Sequence, residues 1–120
     1  MTPARRWGSA HPRAADNLDT LEAEIRERRT ADPATSYVAS LTAKGRAKIA
    51  QKLGEEAVEA AIAAVQDDKP GLTGEAADLL FHLLVLLADM GLTLDDVRAE
   101  LARREGISGI DEKASRPAGA

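Results

Sequence analysis

The fold of this chain is decided by two stretches, RAKIAQKLGEEAVEAAIAAVQ at residues 46–66 and GEAADLLFHLLVLLADMGL at residues 74–92. At about 100° per residue, the polar side chains of each stretch fall in one narrow sector of a helical wheel. These are Lys48, Lys52, Glu55, Glu56 and Glu59 in the first stretch, and Glu75, Asp78, His82 and Asp89 in the second. Most other positions are apolar. Each stretch therefore predicts a long helix that is apolar over most of its surface.

Two such helices predict association between chains. A helix that is apolar on nearly all sides must be buried on nearly all sides. The chain has 120 residues, enough for one modest domain, and that domain cannot cover both helices by itself. We therefore expect a homo-oligomer, in the simplest case a homodimer.

The rest of the chain predicts shorter helices. One covers about residues 18–28 after an N-cap at Asp16 or Asn17, and another begins after Ser36. A last helix begins after Thr93, carries an apolar stripe and ends at Gly106. That stripe comprises Leu94, Val97 and Leu101. With 24 alanines and few β-branched residues, the chain predicts an all-α bundle of about four to five helices. We place the domain at residues 16–116, between a mobile N-terminal tail (1–15) and a short C-terminal tail (117–120).

Composition excludes several classes of function. The absence of cysteine excludes disulfides, thiol catalysis and sulfur-bound zinc. A net charge of −4 argues against nucleic acid as a partner, because binding its backbone requires a basic surface. The mainly apolar run at 79–88 is too short to span a bilayer, and residues 1–18 contain no apolar core of a secretory signal. We expect a cytoplasmic protein with no membrane partner.

The acidic pairs in the two long helices predict a metal site. Glu56 and Glu59 form an ExxE pair and Glu75 and Asp78 an ExxD pair, so each pair lies on one helix face. Antiparallel packing could bring all four carboxylates together, where two charges about 4 Å apart repel by roughly 4 kcal/mol at an effective dielectric near 20. A divalent cation would relieve that repulsion, and an all-carboxylate set favours Mg²⁺ or Mn²⁺.

The alternatives differ between the two helices. The glutamates of residues 46–66 could form a solvated face paired with Lys48 and Lys52. Glu75 and Asp78 interrupt an otherwise apolar surface, where unpartnered acids are expensive, so they favour a site. His82 on the same stripe is either catalytic or a hydrogen-bonded buried histidine. A di-iron carboxylate centre would need Glu-x-x-His, and Leu79 precedes His82 by three residues.

The same residues resemble a known family. KIAQKLGEEAVEAAIAA (48–64) and GEAADLLFHLLVLLADMGL (74–92) are similar to phosphoribosyl-ATP pyrophosphatases of histidine biosynthesis, within the all-α nucleoside triphosphate pyrophosphatase superfamily that includes MazG. The segments SYVASLTAKGRAKIAQKLGEE (36–56) and RREGISGIDEKASR (103–116) resemble the phosphoribosyl-ATP branch in particular. The resemblance covers about residues 17–116.

The resemblance implies a reaction and a set of ligands. The family hydrolyses the α–β phosphoanhydride of phosphoribosyl-ATP, yielding phosphoribosyl-AMP and pyrophosphate. The resemblance also implies that Mg²⁺ is held by Glu56, Glu59, Glu75 and Asp78. One of these carboxylates, or the adjacent Glu55, accepts a proton from the attacking water; Glu55 and Glu56 are our catalytic candidates.

The basic residues and the substrate leave further alternatives open. Lys48 and Lys52 either contact phosphates or neutralise neighbouring glutamates, and Lys44 is a weaker candidate. Lys113 and Arg116 either fold over the phosphoribosyl group or belong to a solvated C-terminus. The same site could serve a housecleaning (d)NTP pyrophosphatase, and a non-catalytic helical dimerisation module is the alternative outside enzymes. We expect a stand-alone enzyme, since the chain has no room for the cyclohydrolase to which this activity is often fused.

Overall fold

The computed structural model describes residues 17–105, and these form five helices with no strand among them. The helices are α1 (Asn17–Arg28), α2 (Tyr37–Lys44), α3 (Arg46–Val65), α4 (Lys69–Asp89) and α5 (Leu94–Arg104). The predicted all-α class is confirmed. The two predicted tails, the C-terminal limit of the domain at residue 116 and the predicted stop at Gly106 lie outside the described residues.

Local sequence signals set the helix ends. The Ser36 hydroxyl accepts a hydrogen bond from the Ala39 backbone N–H at 3.1 Å and so caps α2. Thr93 and Asp96 form a capping box at the start of α5, each side chain accepting a bond from the other residue's backbone N–H. Gly91, with φ of 75°, adopts the left-handed conformation just after α4. These starts and stops were predicted correctly.

The two long helices form an antiparallel hairpin, which is the most extensive helix–helix contact among the described elements. A short turn after Gln66 joins them, and the Asp68 carboxylate caps α4 by accepting a bond from the Gly71 N–H at 3.0 Å. A side chain at residue 71 would collide with this carboxylate. Pro70 lies in the first turn of α4, where its missing N–H costs nothing.

The shorter helices cover one side of the hairpin. Helix α1 packs on α4, and α2 packs on α3. The buried apolar side chains between them are Leu21, Ile25, Val38, Leu41, Ile49, Leu84, Val85 and Ala88. Apolar positions three and four apart on each helix thus meet in one core, which fixes how the two long helices lie against each other.

An ion-pair cluster ties the C-terminal end of α4 to its neighbours. The Asp89 carboxylate accepts hydrogen bonds from Arg46 Nε at 2.8 Å and Arg29 Nη1 at 3.2 Å. Arg46, and to a smaller extent Arg29, hold the pKa of Asp89 below its ordinary value. The helical wheel places Asp89 in the same sector as Glu75. In the structure, however, Asp89 is not part of an acidic site: its ion pairs link α4 to Arg46 at the start of α3 and to Arg29, which follows α1.

The other side of the hairpin is uncovered. Val58, Ile62 and Val65 of α3 are 59, 50 and 87% exposed, and Leu72 and Leu80 of α4 are also exposed. Helix α4 meets the length and composition of a membrane span, but core helices of globular proteins do so too, and α4 supplies Leu84 and Val85 to the core. The α5 stripe is only partly buried: Leu94 packs on the core, whereas Leu101 is 61% exposed.

Candidate active site

The hairpin brings acidic side chains of α3 and α4 together. Glu56 is buried, only 8% exposed, while Glu75 is half-buried and Asp78 is exposed. One carboxylate oxygen from each of these three residues lies within 4.8 Å of the other two. We call these three residues the acidic cluster. It draws on both predicted motifs, one member from ExxE and two from ExxD.

The fourth predicted carboxylate touches the edge of the acidic cluster. Glu59 is exposed, and its carboxyl interacts with that of Glu75. This contact is the main reason why the pKa of Glu59 is raised. The Glu56 carboxyl, followed by burial, raises the pKa of Glu75, while Glu59 acts in the opposite sense. The contacts between carboxyls of the two helices thus raise the pKa of both Glu75 and Glu59, as expected where the two acidic motifs meet.

The acidic cluster contains an oxygen without a partner. Among the described residues, Glu75 Oε1 is a buried side-chain atom that no donor reaches. A buried acceptor without a donor is costly, and here it faces further carboxylates rather than an N–H group. An oxygen-only set of this kind fits a hard divalent cation, which would supply the missing positive charge. The acidic cluster can therefore hold a metal ion.

Glu55 belongs to a different set of contacts. Gln51 Nε2 donates a hydrogen bond to Glu55 Oε2 at 2.8 Å, and Lys52 Nζ lies 3.3 Å from Glu55 Oε1. These partners, with Gln51 the larger cause, lower the pKa of Glu55, and Glu55 in turn raises that of Lys52. The structure thus shows Lys52 neutralising a glutamate, one of the two alternatives left open by the sequence. Lys48 lowers the pKa of Glu55 more weakly, Lys44 is exposed at the end of α2, and Lys113 and Arg116 lie outside the described residues.

His82 is buried beside the acidic cluster and hydrogen-bonded at both ring nitrogens. Its Nδ1 lies 2.9 Å from the Asp78 carbonyl oxygen, and its Nε2 lies 2.9 Å from the Tyr37 hydroxyl. Of the two alternatives that the sequence left open for His82, this geometry corresponds to the hydrogen-bonded buried histidine. The contact with Tyr37, which is 45 residues away in the chain, was not predicted. One signal was available: this tyrosine directly follows the Ser36 cap, which fixes its place at the start of α2.

Comparison with known proteins identifies the family of this chain. The sequence model of the phosphoribosyl-ATP pyrophosphohydrolase family matches residues 18–105, which include all four predicted metal ligands and almost all of the five helices. The chain belongs to this family. The resemblance noted from residues 48–64 and 74–92 is confirmed.

Members of the phosphoribosyl-ATP pyrophosphohydrolase family are similar to this chain over nearly their whole length. A phosphoribosyl-ATP pyrophosphatase of Rhizorhabdus wittichii is 68% identical over 102 residues, covering 85% of this chain and 96% of the relative. The proteins of the same name from Sphingopyxis alaskensis and Rhodospirillum rubrum are 64 and 54% identical, covering 84 and 88% of this chain and 94 and 90% of those relatives. The relatives therefore have the size of this domain.

The repulsion within the acidic cluster predicts an unusual effect of Glu75→Gln on stability. In the folded state the pKa of Glu75 is raised, so its ionisation opposes folding at neutral pH and ceases to do so as pH falls through that raised value. Without divalent cations, we expect the variant to melt a few degrees higher than the wild type at pH 7. The difference should vanish below about pH 4, where Glu is protonated in both states.

Glu55→Gln is the matched control, because it makes the same chemical change at an exposed glutamate of the neighbouring helix α3. The pKa of Glu55 is lowered by its partners, so this substitution removes a favourable charge and should not raise the melting temperature. Thermal unfolding in EDTA at both pH values measures the two effects. A Glu75→Gln variant that is less stable than the wild type at pH 7 would contradict mutual repulsion at the acidic cluster.

Proposed function

We propose that this chain hydrolyses the α–β phosphoanhydride of phosphoribosyl-ATP, releasing phosphoribosyl-AMP and pyrophosphate. The observation that carries the proposal is the acidic cluster with its unpartnered Glu75 oxygen, located on the two helices that the family model spans. In this reaction the oxygen of water forms a new bond to phosphorus, and the bond from phosphorus to the bridging oxygen breaks. The bridging oxygen leaves with its electron pair on one product, and water gives up a proton.

Glu56, Glu59, Glu75 and Asp78 would hold Mg²⁺, for which Mn²⁺ can substitute. The donor set consists of carboxylate oxygens, which suit these hard ions. When bound, the ion neutralises phosphate charge and lowers the pKa of the attacking water. The contact of Glu75 with Glu56 supports this assignment, since a cation would turn a contact that disfavours ionisation of Glu75 into shared coordination.

A carboxylate of this site would accept the proton from water. Of the two catalytic candidates, Glu56 is the better supported, because it is buried within the acidic cluster. Glu55 is exposed and engaged by Gln51 and Lys52, which lower its pKa and make it a weaker base. We therefore assign the proton acceptor to Glu56 and a supporting role to Glu55.

Cationic side chains near the site would bind the phosphates. Lys52 and Lys48 lie on the face of α3 that carries Glu55, and substrate phosphates would compete with Glu55 for the ammonium of Lys52. Lys113 and Arg116 stay in this proposal as contacts to the phosphoribosyl group, on the resemblance of residues 103–116 alone. We further propose that the enzyme works in the cytoplasm without a membrane partner, and its net negative charge disfavours binding to nucleic acid.

Pyrophosphate release tests the proposal. The purified protein should release pyrophosphate from phosphoribosyl-ATP with Mg²⁺ and not with EDTA. Glu75→Gln and Asp78→Asn should each lower kcat/KM by about 100-fold or more, because each removes a group that helps to stabilise charge in the transition state. Asp95→Asn is the control: it removes an exposed carboxylate of α5 and should leave activity unchanged. Turnover of dNTPs in place of phosphoribosyl-ATP would contradict the substrate and indicate a housecleaning enzyme. A folded protein inactive on every nucleotide would contradict enzymatic function.

We also propose that two chains associate through the uncovered side of the hairpin. A groove of about 340 Å³ on α3 is lined almost entirely by apolar side chains: Val58, Ala61, Ile62, Val65 and Gln66. Together with Leu72 and Leu80 they form an apolar face of a kind that soluble monomers rarely expose. A second copy would cover it in an isologous contact and would bring the two acidic clusters near a shared interface.

Ile62→Glu tests this association. A charge placed at the centre of the uncovered side cannot be buried without a partner, so the variant should be monomeric where the wild type is dimeric or larger. Light scattering coupled to size-exclusion chromatography measures the mass of each. Leu101→Glu, an equally exposed apolar position on α5, should keep the wild-type mass. A wild-type mass of one chain at micromolar concentration would overturn the proposal.

A further inference from the structure

Tyr37 presents an aromatic ring that is half exposed yet held on several sides. It is the first residue of α2, directly after the buried Ser36 cap, so the backbone position is fixed. One face of the ring stacks on Phe81 of α4, with centroids 5.9 Å apart and an angle of 24° between the planes. The side chain is nonetheless 50% exposed. The part of Tyr37 that its neighbours leave uncovered is therefore available for a further contact.

His82 fixes the orientation of this ring. A carbonyl oxygen only accepts, so the bond to Asp78 requires a proton on His82 Nδ1. In the neutral ring Nε2 then carries the lone pair and accepts the bond from the Tyr37 hydroxyl at 2.9 Å. His82 itself is only 5% exposed and meets both Tyr37 and Phe81 edge-on. A buried histidine thus uses both nitrogens to hold an exposed tyrosine in place.

The tyrosine lies between the acidic cluster and a small cleft. The cleft has a volume of about 160 Å³ and is lined by Tyr37 and Phe81, by the apolar Ile25 and Val38, and by polar groups of α1 at its rim. Tyr37 is also close to the acidic cluster, because its partner His82 is bonded to the Asp78 carbonyl oxygen. Its hydroxyl interacts electrostatically with Lys52 and, more weakly, with Glu56 and Asp78. Since pockets for whole drug-sized ligands measure about 300–1,000 Å³, this cleft suits one planar ring system and not a complete nucleotide.

We propose that Tyr37 is the stacking platform for the purine base of the substrate, and that His82 is the positioning residue that orients it. The inference rests on the proposed function, in which the phosphates of the same nucleotide occupy the acidic cluster. A base has two uncharged π-faces that no carboxylate can recognise, so an aromatic ring fixed next to the phosphate site supplies the complementary surface. The rigidity of the ring lowers the entropy lost on binding.

Steady-state kinetics separates this role from a structural one. Tyr37→Leu keeps an apolar side chain but removes the aromatic ring. We expect its KM for phosphoribosyl-ATP to rise about 5- to 150-fold, which corresponds to the loss of one base-stacking contact, while kcat stays within about threefold of wild type. Tyr37→Phe keeps the ring and loses only the bond to His82, so its KM should rise less. His82→Gln, which keeps a polar group at the buried position, should resemble Tyr37→Phe. Leu101→Ala on α5 is the control and should change neither constant.

A direct binding measurement uses the fact that Tyr37 is the only tyrosine in the chain. Protein labelled with 3-fluorotyrosine therefore gives one ¹⁹F resonance from this ring. With Mg²⁺ present, α,β-methylene-ATP should shift that resonance, whereas inorganic tripolyphosphate, which has the phosphates but no base, should leave it nearly unmoved. Circular dichroism of each variant verifies that the helices are retained.

The outcomes distinguish the two proposals. Binding of the nucleotide analogue without movement of the resonance, or a fall in kcat with unchanged KM in Tyr37→Leu, would overturn the stacking platform and leave the hydrolytic function intact. A shift caused by the analogue in a protein that does not hydrolyse phosphoribosyl-ATP would support the platform and overturn the proposed function. A protein with neither the shift nor the activity would overturn both.

Discussion

The repulsion between carboxylates on facing turns of α3 and α4 is the constraint on which the site depends. Glu75 has one buried oxygen without a donor, and Glu56 and Glu59 interact with its carboxyl. Nothing within the acidic cluster compensates this cost, so the hairpin must be stabilised elsewhere. Its stability comes from apolar burial by α1 and α2, from the Asp68 cap of α4, and from the cluster in which Asp89 accepts bonds from two arginines.

Helix α4 carries two acidic residues whose pKa values are shifted in opposite directions, Glu75 and Asp89. At its C-terminal end Asp89 is neutralised by arginine, and its pKa is lowered. Several turns earlier on the same helix, Glu56 and burial raise the pKa of Glu75. A helix that served only as scaffold could have used the same arginine pairing throughout. Among the residues that the structure describes, the acidic cluster therefore has no cationic partner of the kind that Asp89 has, and it can accept a positively charged ligand such as the proposed Mg²⁺.

Most of the fold and part of the site could be predicted from local sequence. Helix limits followed from capping residues such as Ser36 and Thr93, because a cap involves residues three apart in the chain. The acidic pairs were likewise visible as i, i+3 spacings. Contacts between residues far apart in the chain could not be predicted in this way, because they depend on how the helices cross. Examples are the ion pairs of Asp89 with Arg29 and Arg46 and the bond between Tyr37 and His82. The exposure of Leu101 depends on helix packing for the same reason. Periodicity gives the face of a helix and not the identity of its neighbour.

Electron paramagnetic resonance measures whether the acidic cluster binds a divalent cation, because free Mn²⁺ gives a signal that diminishes on coordination. We expect the wild type to remove Mn²⁺ from solution in competition with Mg²⁺, and Glu75→Gln to weaken this binding by about tenfold or more, or roughly 1.4 kcal/mol, while remaining folded. Glu55→Gln should bind nearly as the wild type does. Equal binding by the wild type and Glu75→Gln, or no binding by the wild type, would contradict the claim that the repulsion at the acidic cluster is maintained for a divalent cation.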